Sequence, residues 1–157
     1  MIQSHDYPVQ LTATGPKTAV IDSVLDGLPT VEVASPTEFG GPGATWSPEH
    51  LFVASISSCL MTTFYVIADI SGLEVLDYED DATGHLLRGE DRLYRIDQVT
   101  LRPRVVVGSH SETAKALKLL EKAKTVCLIS RSVSSDIEME ATVAVADRVS
   151  PETAGIG

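Results

Sequence analysis

The sequence predicts an α+β fold in which two helices pack with largely antiparallel sheet, and three observations carry that prediction. Ser47 to Gly72 holds a helix start, a long apolar body and a glycine stop. From Thr113 to Cys127, Thr113, Ala116, Leu120, Ala123 and Cys127 recur at three- and four-residue steps, which is the period of a second helix. Around and between these stretches apolar and polar residues alternate, as in half-buried strands. The expected order is three strands, helix, two strands, helix, strand, within one domain spanning all 157 residues.

Tyr7 to Val33 reads as a small meander. Val9, Leu11 and Ala13 alternate with Gln10, Thr12 and Thr14 before the turn pair Gly15-Pro16, a second strand covers about Lys17 to Leu25, and Asp26-Gly27 turns into a short third strand at Thr30 to Val33. Pro36 to Thr45 is a loop, because Gly and Pro fill Gly40 to Gly43. Ser47 then caps the central helix, Pro48 suits its first position, Glu49 places negative charge near the positive end, and Gly72 stops it. No charge occurs between Leu51 and Ala68, so the helix is expected to be buried on every side. Its length also suits a membrane span, but Ser55, Ser57, Ser58, Thr62 and Thr63 lie in the body and no Lys or Arg anchors either end, so a core helix is the better reading.

Leu73 to Arg88 suits a strand with a solvated acidic stretch. Gly89-Glu90 turns the chain into a strand from Asp91 to Val107, where a change of parity places a bulge near Asp97 and Gln98. Ser109 or Ser111 starts the second helix, Ser130 to Ser135 breaks it, and Ile137 to Ala146 closes the fold as a strand with one wet face. A loose tail is expected over 148–157.

Charge and composition narrow the function. A net charge of -10, from 22 acidic and 12 basic residues, argues against nucleic acid or anionic membrane as a partner. The N-terminus has neither the basic start nor the apolar core of a secretory signal, and two cysteines are too few for a disulfide scaffold, so a cytoplasmic protein with reduced thiols is expected. His5, His50, His85 and His110 lack metal-site spacing, and Ser57 and Ser58 lack a nucleophile-elbow setting, so neither metal nor cofactor is expected.

That leaves the two cysteines. Each lies on a helix facing apolar neighbours, and both helices must occupy one small core, where Cys59 and Cys127 either fill space or meet. A thiol of ordinary pKa near 8.5 is a few per cent ionised at neutral pH, so a reactive one needs a group that stabilises its thiolate. Glu49 is ten residues from Cys59, about 15 Å along a straight helix, and serves either as a first-turn stabiliser or against a cysteine of a second copy. Arg131, one turn beyond Cys127, either favours a thiolate if the helix continues that far or is an exposed cation at the helix end.

The approach FGGPGAT, Pro48-Glu49 with Leu51 following, Cys59 on the same helix, and CLISRSV from Cys127 to Val133 together resemble the family of osmotically inducible protein C and organic hydroperoxide resistance proteins (OsmC/Ohr), over roughly Tyr7 to Asp147. The resemblance implies an intertwined homodimer whose strands wrap around two central helices, and a thiol peroxidase acting on organic hydroperoxides. It makes Cys59 the peroxidatic residue, Cys127 the resolving one, Glu49 the residue that orients an arginine onto the sulfur, and a small dithiol or lipoyl group the reductant. That arginine is expected ahead of the glutamate, where this chain has only Lys17 and no arginine before Arg88, so Arg131, Arg92 or Arg95 is left to supply a cation. The alternative is a divergent relative acting as a redox sensor, a binder of hydrophobic small molecules or a weak peroxidase.

Overall fold

The computed structural model describes residues 4–24 and 27–146, so Leu25, Asp26 and the tail after Ala146 lie outside the described residues. The chain divides between Phe52 and Val53 into two compact units.

The first unit carries a three-stranded antiparallel meander, β1 (Val9–Gly15), β2 (Thr18–Ser23) and β3 (Val31–Ala34). The outer strand β1 leaves its apolar residues uncovered, with Val9 and Leu11 72% and 62% exposed. The glycine-rich loop that follows holds one 3-10 turn, Thr37–Phe39, where none was expected. Gly41 admits no side chain because a Cβ there would run into the Ser35 carbonyl, and Lys17 Nζ pins the loop by donating to the Phe39 and Gly40 carbonyls at 2.7 and 3.1 Å.

Helix α1 (Pro48–Ile70) starts as its sequence dictates: the Ser47 hydroxyl accepts the His50 N–H at 3.3 Å, and the Ser47 carbonyl accepts the Leu51 N–H. At the other end Gly72 turns left-handed at φ 62°, Leu73 N–H bonds the Ala68 carbonyl, and Lys115 Nζ donates to the Ser71 and Gly72 carbonyls. Burial on every side is corrected. Only Ile56, Leu60, Phe64, Ile67 and Ala68 are buried, one stripe of the helix, while Val66 and Ile70 on the other side are 60% and 80% exposed. By length and composition α1 could cross a membrane, with mean hydropathy 1.9 over its most apolar window. A single chain covers one side of it.

In the second unit each expected long strand is two. Leu73 to Arg88 becomes β4 (Val75–Asp80) and β5 (Thr83–Arg88), Asp91 to Val107 becomes β6 (Tyr94–Leu101) and β7 (Pro103–Val107), and Ile137 to Ala146 becomes β8 (Asp136–Met139) and β9 (Thr142–Val145). The halves separate into two sheets, ordered β4-β7-β9 and β5-β6-β8. The three breaks coincide at Arg102. Its amide donates to Asp80 Oδ1 at 2.7 Å, and its guanidinium reaches Glu140 Oε2 at 2.9 Å, Thr83 Oγ1 and the Asp81 carbonyl. The expected bulge is present, since the β5 to β6 pairing steps from Gln98 to Ile96 past Asp97.

Helix α2 (Thr113–Val126) follows β7 and packs on β7 and β9 through Ala116, Leu119, Leu120 and Ala123. Because it carries the chain across, β8 and β9 join β6 and β7 in parallel, so the sheets of this unit are mixed. The arrangement is the α+β fold the sequence predicts.

Candidate active site

The two cysteines meet within the second unit. Cys59 is half-buried at the middle of α1, and Cys127 is fully buried at the end of α2; both are free thiols. Cys127 occupies two positions at once. Its N–H bonds the Ala123 carbonyl at 2.8 Å and closes α2, its ψ of 121° leaves the helical region, and its carbonyl accepts the Arg131 N–H at 3.1 Å to open the next turn. That redirection aims the Ile129 N–H at Cys59 Sγ, 3.4 Å away. Thr63, one turn along α1, places its hydroxyl 4.0 Å from the same sulfur.

The two thiols act on each other and differ in acidity. Burial opposes ionisation of Cys59, but donation from the Cys127 thiol, the Ile129 amide, the Thr63 hydroxyl and the Leu128 amide outweighs it, and the Cys59 pKa falls below the ordinary thiol value. Burial raises Cys127, and its hydrogen bond to Cys59 raises it further. Ser130, through side chain and amide, pulls Cys127 back without reversing the shift; its Oγ is shielded from solvent and makes no hydrogen bond of proper geometry. Of the two thiols Cys59 is therefore the more readily ionised.

No cation is among the groups that shift Cys59. Because α2 ends at Val126, the helical continuation that would bring Arg131 back over Cys127 does not exist; Arg131 lies exposed in the 3-10 turn Ser130–Ser132 with no ion pair among the described residues. Arg95 is paired with Asp91 at 2.7 Å, Arg92 sits in the β5 to β6 turn at φ 64°, and Lys17 is held by its loop carbonyls. Glu49 occupies the second position of α1, ten residues before Cys59 on the same helix, and its Oε2 is shielded from solvent without a hydrogen-bond partner.

Sequence reasoning missed Tyr78 on β4. Its ring lies 6.0 Å from that of Phe64 and 6.1 Å from that of Tyr65, and its hydroxyl is shielded from solvent with no hydrogen-bond partner. Burial, then the charges of Asp80, Tyr65 and Cys127, raise its pKa. Its place in an acidic strand gave no sign of this, since it is the fold that sets its ring against Phe64 and Tyr65 of α1. Among the described residues no three His, Cys, Asp or Glu side chains converge as a metal site.

A family model for OsmC-like proteins matches residues 41–142. Protein YmaD of Bacillus subtilis is 25% identical over 128 residues, covering 80% of this chain and 85% of its own. Among solved structures, an OsmC-like protein of unknown function from Vibrio cholerae superposes with a TM-score of 0.80 at 24% identity, over 88% of this chain and 100% of its own. An organic hydroperoxide resistance protein from Elizabethkingia anophelis does so with a TM-score of 0.70 at 24% identity, over 92% and 100%. OhrB of Bacillus subtilis, also an organic hydroperoxide resistance protein, gives 0.64 at 23% identity, over 88% and 98%. The family match takes in both cysteines, the helix that carries Cys59 and the turn that opens at Cys127, and the chain belongs to the OsmC-like family.

Proposed function

We propose that this chain is a thiol-dependent peroxidase that reduces organic hydroperoxides, with Cys59 peroxidatic and Cys127 resolving. The carrying observation is a Cys59 thiol made more acidic, with the Ile129 N–H donating to its sulfur at 3.4 Å, beside a second thiol that is made less acidic. The Cys59 thiolate attacks the outer peroxide oxygen; the S–O bond forms, the O–O bond breaks, and the alkoxide takes a proton to leave as alcohol. Cys127 sulfur then attacks Cys59 sulfur, the S–S bond forms, and the sulfenic oxygen leaves as water. A small dithiol or lipoyl group returns both thiols by exchange and is itself oxidised to a disulfide. Neutral donors do here what an arginine ahead of the glutamate would do. The names of two fold relatives refer to organic hydroperoxide resistance, which agrees with this reading.

The working unit is a homodimer in the cytoplasm. Ala54, Ser58, Thr62, Val66 and Ile70 form an exposed stripe at helical spacing, small at one end and apolar at the other, that suits close approach of a second α1. Glu49 of the second copy then serves as the orienting carboxylate, and its partnerless Oε2 is an acceptor left for such a contact.

The absent cation favours one second reading, a divergent member that senses oxidants or binds hydrophobic small molecules. Mixing reduced protein with cumene hydroperoxide and counting thiols separates the two. A peroxidase loses two thiols per chain rapidly and turns over with a dithiol, and Cys127→Ser accumulates a trappable Cys59 sulfenic acid. Slow, substoichiometric thiol loss would sink the enzymatic reading.

A further inference from the structure

Three arginines of the second unit are matched by acids: Arg95 pairs with Asp91, Arg102 with Glu140, and Arg104 reaches Asp77 and Glu79. Helix α2 and the turn after it depart from that habit. From Thr113 to Ser135 the chain places four of its five lysines and Arg131 against one acid, Glu121, although over the whole chain 22 acidic residues outnumber 12 basic ones. Lys115, Lys118, Lys122 and Val126 follow one another at three- and four-residue steps, all exposed, on the side of α2 away from the buried Ala116, Leu120 and Ala123. Lys115 is held by the carbonyls that close α1. Lys118, Lys122 and Arg131 have no ion pair among the described residues.

This row of charge runs toward the cysteines. Val126 and Leu128, both exposed and apolar, stand on either side of the buried Cys127, and the Arg131 N–H bonds the Cys127 carbonyl. From Lys118 to Val126 the row is about 12 Å long at 1.5 Å per residue, more than one carboxylate spans. An apolar centre rimmed by unpaired cations is the pattern of an interface with an acidic macromolecule. A neutral small dithiol would gain nothing from it, whereas an acidic protein, repelled by the chain's net charge of -10, would be drawn to this face alone and so arrive oriented. We propose that this end of α2 docks the reductant, and that the reductant is an acidic protein carrying its dithiol; this rests on the dithiol peroxidase reading above. A thiolate of the reductant attacks Cys59, which is half-buried where Cys127 is fully buried. A mixed disulfide forms, the Cys59–Cys127 bond breaks, and Cys127 leaves as thiolate and takes a proton. The reductant's second thiol, once deprotonated, attacks the first, so its own disulfide forms and Cys59 is released as thiolate. Two electrons pass from the reductant's dithiol to the cysteine pair.

The test uses the disulfide form, made with diamide, and three reductants: dithiothreitol and two dihydrolipoyl-lysine peptides that differ only in flanking residues, all Glu or all Lys. At low ionic strength the acidic peptide should reduce the protein about tenfold faster than the basic one. The difference should collapse in about 0.5 M NaCl, where screening leaves a reach of a few ångströms. Lys118→Glu combined with Lys122→Glu should remove the advantage of the acidic peptide and keep the wild-type rate with dithiothreitol. Equal rates for the two peptides, an unchanged acidic-peptide rate in the double variant, or a variant slowed alike with dithiothreitol overturns the docking face and leaves the peroxidase reading standing. Wild-type protein that forms no Cys59–Cys127 disulfide with diamide and leaves cumene hydroperoxide intact overturns both.

Discussion

At the scale of single residues, acidity at the cysteine pair is set by who donates to whom. Cys59 is made more acidic by the Cys127 thiol, the Ile129 and Leu128 amides and the Thr63 hydroxyl, whereas burial and the neighbouring Cys59 make Cys127 less acidic. Removing the Cys127 donor should therefore raise the Cys59 pKa. In Cys127→Ala the pH midpoint for iodoacetamide alkylation of Cys59 is expected to rise toward the ordinary 8.5, while Cys127→Ser, which keeps a donor, holds it lower. Equal midpoints in the two variants would remove Cys127 as an activator. Tyr78 has the opposite sign. Its folded pKa is raised, so from about pH 10 upward the unfolded chain loses this proton first, the native state holds more protons, and stability falls as pH rises. Denaturant titrations from pH 8 to 11 should show a shallower alkaline decline in Tyr78→Phe than in wild type. Cys59 and Cys127 were legible because they are the chain's two cysteines, one within a helical pattern and the other at the end of one. The Ile129 amide was not, because a backbone N–H has no residue code, and of the two readings of Arg131 the sequence could not choose because it did not show that α2 stops at Val126.

Elements were legible where local chemistry sets them. Ser47-Pro48 opens α1 and Gly72 closes it because capping is decided within a few residues. Gly72→Ala meets no neighbour, so its effect is the left-handed backbone alone, about 1–2 kcal/mol, read as a lower melting temperature. The strand breaks were illegible for a physical reason. Val99, Leu101, Val105 and Val107 keep one parity across Arg102, as do Ile137, Met139, Ala141, Val143 and Val145 across Glu140, so the alternation runs on while the backbone changes sheets. What marks the junction is hydrogen bonding to Asp80, which accepts the Ser57 hydroxyl at 2.5 Å and the Arg102 amide at 2.7 Å. Asp80→Ala should cost about 2–3 kcal/mol in denaturant unfolding, while Glu140→Ala, which breaks an exposed pair, should cost under about 1 kcal/mol. Comparable losses would show that the junction depends on the guanidinium.

For the whole molecule the informative quantity is what one chain leaves uncovered. The α1 sequence is apolar all round, yet one stripe is buried, and Val66 and Ile70 stand in solvent. The sequence could state that this helix needs cover but not that the cover would come from outside the chain. Light scattering should give twice the 16.8 kDa chain mass, and Val66→Glu should halve it while Glu38→Lys on the surface does not. A monomeric wild type would end the dimer proposal. Arg102 stitches three chain segments, distant in sequence, at one level of the second unit. Lengthening any one of them at that seam would throw it out of step with the other two, so insertions and deletions that drift into such genes should collect at the Gly89–Arg92 turn and be purged from 81–82, 102 and 140–141.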